Sequence, residues 1–180
     1  RVGLLSSPFR DRFGITYHLD FYPEPDMYDI VLRSAKLLEV SIDSEGAKII
    51  ASRSRGTPRI ANRLLRRVRD YATVKGDGTI SGELAEKSLH MEGVDSAGLD
   101  SLDRKFLNVI IDYYNGGPVG IEAVAATLSE EVNTIEELVE PYLLKTGFLM
   151  RTKRGRIVGR EAYKHLGLPH TGLSQKDLFD

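Results

Sequence analysis

The 180-residue sequence contains no cysteine and no tryptophan, and only 8% of its residues are aromatic. Without cysteine there is no disulfide, no thiolate metal site and no cysteine nucleophile, a usage that fits a reducing compartment. The histidines, His18, His90, His165 and His170, show no zinc-ligand spacing, so no metal centre is expected. No apolar run reaches the roughly 18 residues that span a bilayer, and the N-terminal stretch lacks the pattern of a secretory signal. Also missing is Gly-x-x-x-x-Gly-Lys-Ser/Thr, the loop that cradles nucleotide phosphates, and with it any acidic strand end suited to magnesium. The chain by itself is expected neither to hold a nucleoside triphosphate tightly nor to hydrolyse it. A net charge of −1 removes any global electrostatic case for a nucleic-acid partner.

The charge asymmetry is local. Seven arginines fall between Arg53 and Arg69 with no acid among them. Thr57-Pro58 has the form of a helix start, with threonine as N-cap and proline where its missing N–H costs nothing. Arg59 then stands in the first turn, where the helix dipole disfavours a cation by about 0.3–1 kcal/mol. An arginine beside free backbone N–H groups makes sense when an anion such as phosphate arrives from outside. A solvated arginine on a basic helix is the alternative. A second basic segment carries Arg151, Lys153, Arg154, Arg156 and Arg160.

Hydropathy divides the chain. Residues 1–22 read as the tail of a preceding domain, closing on an alternating, strand-like run from Ile15 to Phe21. Residues 23–93 read as four helices: one carrying Met27, Val31 and Leu38, one from about Ser44, one from Thr57 to about Val74, and one ending near His90. The stretch 94–98 reads as a glycine-containing linker able to act as a hinge. From 99 to 168, three helices precede a hairpin, the third running from Thr134 to Thr146, where Pro141 is expected to bend the helix or shorten its start. Phe148 to Thr152 then faces Arg156 to Val158 across Lys153-Arg154-Gly155. Three helices and a hairpin are the layout of a winged helix, so the fold class is mainly α, a small helical domain followed by a winged helix. Residues 169–180 are expected to form a flexible tail.

The third helix of that winged helix carries Glu136, Glu137 and Glu140, a surface that repels phosphate unless these carboxylates face elsewhere. The hairpin instead gathers five cations without an acid, and a polyanion relieves their repulsion. DNA contact is expected at the wing tip, to backbone and minor groove, with little base reading. A solvated strand edge guarded by arginines is the alternative.

Two stretches, Ser7-Pro8-Phe9-Arg10-Asp11-Arg12-Phe13-Gly14-Ile15 and Arg55-Gly56-Thr57-Pro58-Arg59-Ile60-Ala61-Asn62-Arg63-Leu64-Leu65-Arg66-Arg67-Val68-Arg69-Asp70, closely resemble the RuvB family. These are hexameric AAA+ motors that drive branch migration of Holliday junctions in bacteria. The likeness continues through Asp77-Gly78-Thr79-Ile80, Gly116-Gly117-Pro118-Val119-Gly120 and Glu140-Pro141-Tyr142-Leu143, and covers about residues 1–168. It implies the end of an ATPase core over 1–22, an AAA+ helical lid over 23–93 and a winged-helix DNA-binding domain over 99–168. Arg12 matches the arginine finger that reaches a neighbouring subunit's nucleotide, with Arg10 a nearby second cation. Tyr22 matches the aromatic near the adenine, and Arg59 the sensor 2 arginine that touches nucleotide phosphates from the lid. Arg151 and Arg156 match DNA-contacting wing positions, with Arg154 beside them. Arg63, Arg66, Arg67 and Arg69 match no assigned role and are expected to form a subunit interface or a solvated face.

The resemblance further implies ATP with Mg2+ as cofactor of the whole motor, a homo-hexamer, RuvA and RuvC as partners in recombination and repair, and a bacterial cytoplasmic location. A different AAA+ DNA-replication protein and a winged-helix transcriptional regulator are the other readings. Separately, Gln175-Lys176-Asp177-Leu178-Phe179 resembles the peptide by which bacterial proteins dock on the replicative sliding clamp.

Overall fold

The computed structural model describes residues 12, 13 and 20–169. Arg10, His18, His170, most of the strand expected from Ile15 to Phe21, and the tail motif Gln175 to Phe179 lie outside them.

The first unit has four helices: α1 (Glu24–Leu37), α2 (Ser44–Arg53), α3 (Pro58–Lys75) and α4 (Gly82–Met91). Glu24 and Asp26 occupy the positive end of α1, which buries Met27, Val31 and Ala35 at four-residue spacing. Asp43 caps α2, its Oδ1 accepting from the Gly46 N–H at 2.6 Å. Its Oδ2 accepts from the Gly82 N–H at 3.3 Å, so one carboxylate ties the starts of α2 and α4. A parallel bridge between Ile42 and Ile80 runs alongside. α3 buries Ala61, Leu64, Leu65, Val68 and Ala72 along one stripe, which turns its arginines outward. Thr57 holds the N-cap position, but its hydroxyl makes no capping bond. Met27, Ile50, Leu65, Ile80 and Leu89 are fully buried at the centre of this unit.

The second unit has its own core of Phe106, Ile110, Leu143 and Leu149. α5 (Ser101–Tyr114) opens on a reciprocal capping box between Asp100 and Asp103, and α6 (Ile121–Leu128) packs against it. α7 spans 132–145 in three pieces: Val132–Thr134, a π-helical turn Ile135–Val139, and Glu140–Lys145. The π turn is how the helix accommodates Pro141. Inside a regular α-helix its ring would clash with the Glu137 carbonyl, whereas here proline falls in the first turn of the resumed segment.

Strands β1 (Leu149–Thr152) and β2 (Gly155–Val158) pair antiparallel, with Leu149 opposite Val158 and Arg151 opposite Arg156. Lys153 and Arg154 form the tip. Gly155 has φ +137°, and a Cβ there would collide with the Val119 carbonyl, so the turn requires glycine. Val119 exchanges two backbone bonds with Arg156, at 2.8 and 3.0 Å, a one-residue antiparallel bridge on the other side of β2. α8 (Arg160–Leu166) closes the unit.

The linker segment carries several side-chain bonds. Asp95 accepts from the N–H groups of Ala97 and Leu99 at 3.0 and 2.8 Å, and His165 on α8 bonds its Oδ2 at 2.9 Å. The Arg104 guanidinium donates to the carbonyls of Gly93 and Leu99 at 2.9 and 2.7 Å. Gly93 and Gly98 mark positive φ, at 72° and 76°, rather than looseness.

Asp43→Ala is expected to destabilise the first unit by about 1–2 kcal/mol, the usual cost of a lost cap. Urea denaturation followed by circular dichroism measures it, and an unchanged midpoint would show that the bonds to Gly46 and Gly82 contribute nothing net.

Candidate functional site

Arg59 is the second residue of α3 and is exposed; no acid accompanies it in the first turn. Tyr22 is brought to the same helix end. Its N–H donates to the Gly56 carbonyl at 2.9 Å, three residues before Arg59, and its side chain stands 47% exposed. That exposure excludes a core tyrosine. Arg12 is exposed within a turn and shares no hydrogen bond or ion pair with Arg59 or Tyr22 among the described residues.

Beyond Arg59, the outer face of α3 presents Arg63 and Arg66 beside Asn62, lining an open groove of about 600 Å³. These positions repeat at three and four residues, so the groove is the space between long side chains on a convex helix rather than an enclosed cavity. Arg69 bonds its neighbour Asp70 at 2.7 Å, and Arg67 lies 3.9 Å from Glu92. Two arginines of the run face inward. Arg53 is buried, with Nη2 2.6 and 2.5 Å from the Glu86 carboxylate oxygens. Arg55 turns toward the second unit, where it bonds Asp103.

The wing divides its cations in the same way. Arg151, Lys153, Arg154 and Arg160 are exposed. Arg156, expected among the DNA contacts, is buried: its Nε donates to Glu140 Oε1 at 2.6 Å, and its Nη2 lies 3.3 Å from Glu140 Oε2 and 3.5 Å from Glu136. The hydrogen bond to Glu140 holds the guanidinium pKa above its ordinary value. Leu149, Arg151, Arg156 and Val158 share one face of the hairpin, and from the inner strand β2 the Arg156 side chain reaches the two α7 carboxylates. Arg151, its cross-strand partner on the outer strand β1, is exposed. Glu136 and Glu140 thus face Arg156, which removes two of the three carboxylates behind the sequence-based objection that an acidic third helix would repel DNA; Glu137 stays exposed.

Removing Arg156 would leave the Glu140 carboxylate buried without its cation. Arg156→Ala is expected to destabilise the second unit by about 3–5 kcal/mol, whereas Arg151→Ala should stay within about 0.5 kcal/mol. Thermal denaturation of the two variants checks the contrast, and equal stabilities would refute the structural role of Arg156.

The comparisons with known proteins agree along the chain. Residues 22–95 match a family model described as the RuvB AAA lid domain, and residues 96–167 match the RuvB C-terminal winged helix domain. The solved structure of the Thermotoga maritima RuvB Holliday junction branch migration motor is 52% identical, with a TM-score of 0.89, covering 94% of this chain and 57% of that one. A point variant of that Thermotoga protein is 53% identical at the same TM-score, covering 93% and 56%. The chain therefore spans just over half the length of the solved relatives it matches. It belongs to the RuvB family, as that family's AAA lid and C-terminal winged-helix domains.

Proposed function

We propose that the chain is the lid and DNA-gripping portion of an ATP-driven motor that moves Holliday junctions during recombination and repair. The observation that carries this reading is the sorting of charge on the wing. Arg156 neutralises the acids of α7, while Arg151, Lys153 and Arg154 project at the tip. A cationic tip of this kind grips the phosphate backbone whatever the base sequence, which suits a translocating machine better than an operator-reading regulator. Sequence-specific binding is the outcome that would favour the regulator.

The α3 terminus has the donor set for a nucleotide phosphate: an exposed arginine, helical N–H groups and no competing acid. ATP with Mg2+ supplies the energy of the whole motor when bound. Of this chain's residues, Arg59 binds phosphate oxygens from the lid and Tyr22 lies against the base. Arg12 reaches the neighbouring subunit's nucleotide in a homo-hexamer and offsets charge on the transferred phosphoryl group. RuvA and RuvC complete the machinery at the junction, in the bacterial cytoplasm. Gln175 to Phe179 is a candidate ligand for the sliding clamp. No described helix is long and apolar enough to cross a membrane.

Two measurements test the reading. Arg151→Ala combined with Arg154→Ala should reduce the slope of log affinity against log salt by about 2, equally for a four-way junction and a plain duplex; an unchanged slope refutes the wing contact. In the full-length motor, Arg12→Ala should lower ATP turnover by about 10³-fold or more. Turnover near that of the unaltered protein would remove the finger assignment.

A further inference from the structure

The lid and the winged helix keep separate hydrophobic cores, and the side-chain bonds that join them are polar. Several of those contacts converge on Arg55, which lies in the tight turn between α2 and α3 at φ 57°, four residues ahead of Arg59. Its Nε donates to the Gly98 carbonyl at 2.8 Å. Its Nη2 bonds Asp103 Oδ2 and lies 3.4 Å from Asp100 Oδ2. The guanidinium also sits over the Tyr142 ring on α7, 5.1 Å from its centroid, while the Tyr142 hydroxyl donates to the Ala97 carbonyl at 2.8 Å. Beside this cluster Gly98 lies flat on the end of α2, where a Cβ would fall 2.7 Å from the Arg53 carbonyl oxygen. One side chain from the lid thereby meets the linker, the start of α5 and the face of α7.

We propose that Arg55 is a positioning residue that locks the lid and the winged helix into one lever, so that displacement of Arg59 at the nucleotide is delivered to the wing instead of being absorbed at the junction. The locking holds for this chain whatever the protein does; the transmission rests on the motor reading. Arginine suits the position because a planar fork can donate along two directions and stack on a ring at once, which a lysine ammonium cannot. The segment 93–99 is tied to the winged helix by Asp95, Arg104 and His165 and to the lid by Val94, which is buried in the lid core. Arg55 braces the junction from the α2–α3 turn of the lid, with Lys145 over the Phe21 ring at 4.4 Å as a smaller contact.

The pair also has a pH signature. Burial pushes the Asp103 carboxyl up to about 6, against the opposing pull of Arg55 and of the Asp100 N–H. The charged groups facing it are Arg55 from the α2–α3 turn and Asp100 at its own helix cap, with the Tyr142 hydroxyl from α7 nearby. A carboxyl whose folded pKa lies above its unfolded one favours the folded state most when protonated. That contribution is full below about pH 4 and is lost as pH rises through about 6. The ion pair follows the opposite course: Arg55 faces a carboxylate at pH 8 and mostly a neutral acid at pH 5.

Residual dipolar couplings on the isotope-labelled chain test the lock directly. Amides of 24–92 and 101–166 should fit one alignment tensor in the unaltered chain and two in Arg55→Ala, with each unit still internally folded. Arg55→Met with Asp103→Asn leaves neither partner of this pair charged and serves as the second variant, with two tensors again expected. Two tensors in the unaltered chain, or one in the variants, overturns the proposal. The fall in Tm caused by Arg55→Ala should be larger at pH 8 than at pH 5, and an equal or reversed difference removes the ion pair from the account. In the full-length motor, Arg55→Ala should reduce junction migration at least tenfold more than DNA-free ATP hydrolysis. Equal losses would defeat the transmission alone, whereas a motor without migration in its unaltered form would defeat the functional reading instead.

Discussion

The carboxylate of Asp103 is the constraint on which the arrangement of this molecule depends. It receives the Asp100 N–H at 2.8 Å and so helps fix the first turn of α5, and it anchors the arginine that arrives from the lid. Among the described residues the two cores, each of modest size and closed over its own side chains, do not merge across the junction. Their relative placement therefore falls to a few directional bonds. Such bonds resist motion only where water is excluded, and Asp103 at 1% exposure with Arg55 at 11% meets that condition. Buried ionic groups of this kind contribute more to a defined geometry than to net stability, because the cost of desolvation offsets much of their attraction.

The same economy governs the wider distribution of charge. A chain with a net charge of −1 presents concentrated positive surface by burying selected cations against acids and leaving the others out. On α3 the inward positions go to leucine, valine and alanine, so Arg59, Arg63 and Arg66 stand together in solvent. On the wing the acids of α7 engage Arg156, and the tip keeps its positive field. The π turn contributes by letting α7 run on through Pro141, which keeps Glu136 and Glu140 within reach of one guanidinium.

Much of this was legible in the sequence because it rests on periodicity. The helices around Met27 and Val31, the stripe from Ala61 to Ala72 and the hairpin about Lys153-Arg154 follow from three-, four- and two-residue repeats. The placement of Arg59 at a helix start was equally plain from Thr57-Pro58. The fates of Arg53, Arg55 and Arg156 were not. Their partners Glu86, Asp103 and Glu140 lie 33, 48 and 16 residues away, and a pattern confined to a few turns carries no information at that range. The bonds that surround the glycines of 93–98 were out of reach for a related reason. Composition records the freedom of a residue in isolation, whereas the bonds of Asp95, Arg104 and His165 decide how much of it survives.

The buried pairing of Arg156 with Glu140 has a consequence for how the wing can change over evolutionary time or by design. Arg151, Lys153 and Arg154 are exposed positions, so the positive charge of the tip can be graded by single exchanges. Arg156 and Glu140 are instead a single mutational unit. Neither can be exchanged alone without stranding a charge in the interior, and both can be replaced together by apolar side chains of similar volume. Drift at the tip and covariation at its root are the pattern that such a wing should leave among its relatives.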